Sequence, residues 1–193
     1  MTKTIAHFNN GKELYFKWQA ELSKTNKIAL SFLFAIITGI CAQIRVPLPW
    51  TPVPVTGQVF AVLLSGTLLG SFYAGLSMIF YIGFGALGIP WFAGFRSGIM
   101  PGPTLGYIIG FVPAAILVGM FIHKHHRLVY QIWIMLIGIL LIYLIGAINF
   151  SAIMRTDFFT TLKMAVLPFI PFDIAKAVLA GFVSRAILPD DKD

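Results

Sequence analysis

Asp173 and Lys176 stand three residues apart in the run PFIPFDIAKAVLAG, which is otherwise apolar. On a helix that spacing puts both side chains on one face. An ionisable side chain at membrane depth costs about 2.5 to 3.5 kcal/mol on insertion scales, so two of them need a reason. Either they form an internal ion pair that fixes helix packing, or they make a polar floor for a ligand or an ion path. Pro171 can open a helix, which places Asp173 in the first turn, where the positive end of the helix dipole favours a carboxylate. Catalysis has less support. Cys41 is the lone cysteine and cannot form an intrachain disulfide; no cofactor is expected, and the histidines at 123, 125 and 126 sit in a basic turn and are not expected to hold a metal. No G-x-x-x-x-G-K-[ST] phosphate loop is present, so the chain cannot hydrolyse ATP by that route, and any energy it uses comes from elsewhere.

Further polar groups gather at the same predicted level. Gln58 heads one apolar segment, Thr104 and Tyr107 head another, and Arg96 lies in a loop beside Trp91. Taken singly, Gln58 reads as a helix-end amide, and Tyr107, Trp50 and Trp91 read as an interfacial aromatic belt. Together they could line an apolar pocket carrying a few polar anchors, the usual make-up of a small-molecule site.

These groups need elements to hold them, and the composition says in which solvent. Of 193 residues, 58% are hydrophobic and only 11% charged, with a mean hydropathy of +0.87. Soluble domains carry about 25% charged residues, so this chain cannot cover a globular surface with polar groups. A disordered chain is excluded by the same figures. The hydropathy predicts an all-α integral membrane protein with six transmembrane helices at 27–44, 57–70, 72–89, 104–122, 128–150 and 163–188, and a tight turn at Gly70-Ser71. Residues 1–26 and 189–193 are then tails, and 27–188 the membrane domain. The first twenty residues are polar and basic, unlike a cleaved secretory signal.

The formal net charge is +7, but the basic residues are spread at segment boundaries, which fits membrane orientation rather than nucleic acid. With the N-terminus inside, nine Lys and Arg fall on the cytoplasmic side and four (Arg45, Arg96, Arg155 and Lys163) outside, which favours both termini in the cytoplasm. The outer loops are the elaborate ones. Residues 45–54 read RVPLPWTPVP, whose four prolines hold the chain extended and stiff, as a pocket wall or as a rigid connector. The first helix carries a stripe of small residues, Ser31, Ala35, Gly39 and Ala42, able to receive a partner subunit or to pack within the chain.

Four blocks then carry a resemblance: AQIRVPLPWTPVPVTGQVFAVLLSG (Ala42 to Gly66), GALGIPWFAG (Gly85 to Gly94), GPTLGYIIGF (Gly102 to Phe111) and PFIPFDIAKAVLA (Pro168 to Ala180). In order and spacing they resemble the signature blocks of the BioY family, the biotin-capturing S-components of energy-coupling-factor transporters. The resemblance covers residues from about 28 to 188. It implies a six-helix bundle with biotin near the outer face, working with a transmembrane coupling subunit and two cytoplasmic ATPases in the prokaryotic plasma membrane. It also implies that Asp173, Lys176, Gln58 and Tyr107 are ligand-binding residues. Biotin's ureido ring offers a carbonyl acceptor and two N–H donors to an ammonium and a carboxylate, and its fused rings could pack on Trp50 or Trp91. Two departures stand out. Phe95-Arg96-Ser97-Gly98 replaces a glycine-rich stretch, which makes Arg96 a candidate clamp for a valerate-type carboxylate, and Leu105 replaces a glycine in the GPTGGY block. The rival readings are capture of another small carboxylic cofactor such as lipoate, a stand-alone carrier, and an acid–base enzyme using Asp173 and Lys176.

Overall fold

The computed structural model describes residues 21–98, 101–124 and 127–187. The expected tail 189–193, most of the tail 1–26, and His125 and His126 lie outside the described residues. The elements are α1 (Lys24–Gln43), a hairpin of β1 (Arg45–Leu48) and β2 (Thr51–Thr56), α2 (Gln58–Ala86), α3 (Leu105–Phe121), α4 (Leu128–Met154), α5 (Phe158–Ala165) and α6 (Ile170–Ile187), with one 3-10 turn at Ile122–Lys124.

α1 begins a turn earlier than expected because the Ser23 hydroxyl accepts from the Asn26 N–H at 3.2 Å, capping the helix. One side of α1 exposes Ile28, Phe32, Leu33, Ile36 and Ile40. The other side buries the small stripe. Ser31 donates to the Tyr73 carbonyl at 3.0 Å, and a Cβ on Gly39 would lie 2.9 Å from that of Trp91. Ser31, Ala35 and Ala42 are fully buried, and Gly39 is buried with them. Of the two readings of Ser31, Ala35, Gly39 and Ala42, partner docking or packing within the chain, the structure displays the packing: their small size lets α2 and Trp91 close onto α1.

The proline-rich loop is extended as expected, but it is paired. Arg45 faces Thr56, Val46 faces Val55 and Leu48 faces Thr51, with an irregularity between Val46 and Leu48. Thr51, Val53 and Val55 turn inward while Pro52 turns out, the period-2 alternation of a half-buried strand. The Gly57 N–H donates to the Cys41 and Ile44 carbonyls at 3.1 and 2.9 Å, tying the hairpin's return to the end of α1.

α2 has 29 residues, about 44 Å if straight, against a hydrocarbon core of about 30 Å. It breaks at Gly70 (φ 73°, ψ 173°), a conformation open to glycine. The break falls at the predicted boundary Gly70-Ser71 and separates the stretches 58–69 and 71–86. At the far end of the chain the predicted single span is two helices, α5 and α6, bent by 49°. Pro168 and Pro171 explain the break, since neither can donate to the preceding turn. α1, α2 and α4 are each long and apolar enough to cross a bilayer, the α5–α6 pair passes as one broken span, and α3 is a 17-residue apolar helix. With α2 divided at Gly70, these account for the six predicted segments.

α2 packs on α1 and α3, α3 on α4, and α6 against both α2 and α4; α5 rests on α4 and β2. The core between them holds Leu63, Met78, Tyr81, Met135, Ile142 and Phe150, all essentially without solvent contact. The start of α2, the start of α3, the end of α4 and the start of α6 thereby lie toward the hairpin.

Candidate ligand site at the hairpin end

Two groups of polar side chains occupy this end. The first is built on α6 and α4. Asp173, 4% exposed, lies in the first turn of α6, where its own N–H donates to the Phe169 carbonyl at 2.9 Å. Lys176 donates to Asp173 Oδ1 at 2.6 Å, with side-chain exposures of 16% and 6% for Lys176 and Asp173. Tyr143, reaching across from α4, donates to Oδ2 at 2.7 Å. Tyr107 stands beside this group: its ring fills the space over Gly146, packs edge-on to Phe169 at 6.2 Å, and its hydroxyl donates to the Ala165 carbonyl at 2.6 Å. That bond satisfies a carbonyl at the C-terminal end of α5, where intrahelical partners run out. Asn149 on α4 donates to the Gly102 carbonyl at 2.9 Å, fixing the approach to α3.

The second group joins α1, α2 and the loop after α2. Gln58, 5% exposed, accepts from the Thr56 hydroxyl at 2.8 Å and donates to the Tyr81 hydroxyl at 2.6 Å. Tyr81 packs against Trp91 (5.6 Å) and Phe92 (5.3 Å), and the Trp91 indole donates to the Tyr81 carbonyl at 2.9 Å. Gln43 is the latch. Its amide nitrogen donates to the carbonyls of Gly39, Trp91 and Phe92, and its oxygen accepts from the Phe95 N–H at 3.1 Å. The loop turns back on itself through a bridge between Phe92 and Arg96, with Gly94 (φ 80°) and Phe95 (φ 57°) in left-handed conformations. The Arg45 guanidinium packs where Gly94 has no side chain.

The sequence-predicted residues therefore divide. Asp173, Lys176 and Tyr107 come together, while Gln58 and Trp91 belong to the second group, held by their own chain. Thr104 immediately precedes α3 and is half-buried, with no side-chain cap bond. Arg96 and Trp50 are exposed, Trp50 between the two strands at the hairpin tip. Leu105 opens α3 without distress; the glycine that geometry demands is the next one, Gly106, which sits against Asn149 and the Ile145 carbonyl. Sequence reasoning missed Tyr143, Tyr81 and Gln43. A tyrosine well inside an apolar segment, away from either interface, was the available signal for the first two. Among the described residues no cluster could hold a metal ion.

Gln43→Leu is expected to free the 91–96 loop, since three carbonyls and one N–H lose their shared partner. Trp91 emission should shift to the red and become more accessible to acrylamide, with α1 and α2 otherwise intact. An unchanged quenching constant would show that the Tyr81–Trp91 contact alone holds the loop.

Asp157 begins α5, with Oδ1 accepting from the Thr160 N–H at 3.3 Å. That hydrogen bonding holds its carboxyl below the ordinary aspartate range. The cap is thus fully present at neutral pH and is lost only as pH falls through this lowered value.

A helical bundle of apolar helices with a two-stranded hairpin, and a buried carboxylate–ammonium pair at one end, is the frame in which the class is met: the membrane-embedded S-components. The chain superposes on the crystal structure of "the S-component for biotin from an ECF-type ABC transporter" with a TM-score of 0.78 and 25% identity, over 85% of this chain and 93% of that one. Within the class it belongs to the BioY family, whose model matches residues 13–191. It is 40% identical over 166 residues to the "Probable biotin transporter BioY" of Pyrococcus horikoshii, covering 85% of this chain and 97% of that protein. It is 32% identical to the "Biotin transporter BioY" of Thermotoga maritima over 79% of this chain and 89% of its relative. These relatives are transporters, and the chain is a membrane protein.

Proposed function

We propose that the chain captures biotin at its hairpin end and serves as the substrate-binding subunit of an energy-coupling-factor transporter, without chemical change to the ligand. A transmembrane coupling subunit and two ATPases supply the energy, in the plasma membrane of a prokaryote, with both termini of the chain cytoplasmic. The observation that carries this reading is the buried Asp173–Lys176 pair at 2.6 Å. It presents an anionic acceptor and a cationic donor side by side, which is the complement of the N–H and C=O on one edge of a cyclic urea. The apolar walls supplied by Tyr107, Phe169 and neighbouring rings suit the fused bicycle. Arg96, exposed and set by the Phe92–Arg96 bridge, meets the carboxylate of the valerate chain at the mouth.

Equilibrium binding to the purified chain in detergent tests the ligand, with desthiobiotin and lipoate as competitors. Biotin and desthiobiotin, which share the ureido edge, are expected to bind and to compete, and lipoate to compete poorly. Lipoate binding in place of biotin would move the reading to another carboxylic cofactor; uptake by vesicles holding this chain alone would remove the ATPases. Arg96→Ala should weaken biotin roughly tenfold, about the worth of one charge-assisted hydrogen bond, and leave the affinity for biotin methyl ester unchanged. Equal losses for acid and ester would take Arg96 away from the carboxylate.

A further inference from the structure

We infer that Tyr143 is a positioning residue for ligand recognition, fixing the Asp173 carboxylate from the neighbouring helix so that only one orientation of a ligand's N–H/C=O edge is accepted. The inference rests on the capture reading above. Tyr143 lies near the middle of α4 and is 7% exposed. A phenol hydroxyl at that depth needs a partner, and it has chosen Asp173 Oδ2 at 2.7 Å. Lys176 alone could not hold the carboxylate: it sits three residues along the same helix and engages only Oδ1. The torsion that turns an aspartate carboxyl is broad and nearly two-fold, so a single tether leaves both faces available. The second tether comes from a different helix and removes that freedom.

The two oxygens are also made unequal. Oδ1 carries an ammonium and Oδ2 a neutral hydroxyl, so more acceptor strength remains on Oδ2. A ligand N–H is then directed to the Oδ2 side, while the donors left on Lys176 take the adjacent carbonyl. Tyr107 stands alongside, its ring seated over Gly146, three residues along α4 from Tyr143. Without the Tyr143 hydroxyl the carboxylate can turn, and the donor–acceptor order that the ligand meets is no longer fixed.

The test is Tyr143→Phe, which keeps the ring and removes only the hydroxyl, read three ways in the full-length chain. Biotin and desthiobiotin affinities should both fall roughly 10- to 100-fold, the worth of one hydrogen bond to a charged group. The carboxylate stretch of Asp173, identified in the ligand-free protein as the infrared band lost in Asp173→Asn, should shift. The melting temperature without ligand should fall by clearly less than in Asp173→Asn, because the Asp173–Lys176 pair remains in place. An unshifted band, or a shifted band with unchanged affinity, overturns the inference, as does an affinity loss matched by general destabilisation of the ligand-free chain. A wild-type chain that does not bind biotin defeats the capture reading and this inference with it; wild-type binding with Tyr143→Phe unaltered defeats the inference alone.

Discussion

Asp173→Asn is expected to abolish measurable biotin binding and to destabilise the ligand-free protein as well. The two effects have different causes and can be separated. Stability suffers because Lys176, whose side chain is 16% exposed, keeps its charge and loses its counter-ion; stranding one member of a buried pair costs about 3 to 5 kcal/mol. Binding suffers because the acceptor for the ligand's N–H has become a neutral amide whose nitrogen donates where it should accept. The double variant Asp173→Asn/Lys176→Met removes both charges, so it should recover most of the lost melting temperature and none of the affinity. Recovery of biotin binding in the double variant would show that the pair is a packing device and that the ligand sits elsewhere.

The second large effect concerns a glycine that no chemistry marks. A Cβ on Gly119 of α3 would lie 2.5 to 2.7 Å from backbone atoms of Gly70 and Ser71 at the break in α2. Backbone cannot swing aside as a side chain can, so the two helices must part at the point where the 58–69 and 71–86 stretches meet. Gly119→Val should cost about 3 kcal/mol, the upper end of ordinary overpacking. In a chain of this size that lowers the melting temperature by roughly 6 to 12 °C. Gly83 supplies the contrast: it is helical, with nothing within 4 Å of its would-be Cβ, and Gly83→Ala should stabilise by up to about 1 kcal/mol through helix propensity alone. If both substitutions shifted stability in the same direction, the close approach at Gly119 would be wrong.

Much of the architecture was legible because membrane helices announce themselves by length and apolarity. The break at Gly70 could be read because a glycine followed by a serine interrupts a long apolar run. Asp173 and Lys176 were visible because charge inside such a run is rare. What could not be read was pairing. The stripe Ser31-Ala35-Gly39-Ala42 reads the same whether another chain or the same chain closes on it, and its packing within the chain depends on Trp91, 52 residues beyond Gly39 in the sequence. The proline-rich segment declared itself extended but not folded back, because proline fixes its own φ and says nothing of register. Tyr143 was passed over because a single tyrosine in an apolar helix carries no periodic signal; its meaning comes from Asp173 across the helix interface.

The hairpin carries a further consequence. A two-stranded sheet has two open edges, and each is a template on which another copy of the same segment can lay itself. Here Pro47 and Pro49 lie in and just after the first strand, and Pro52 and Pro54 in the second. A proline is tolerated in a strand where its missing donor faces away from the partner, so these residues blunt the outward-facing borders. Crowded side by side in a bilayer, copies of this chain find little to extend: the ribbon ends where it begins.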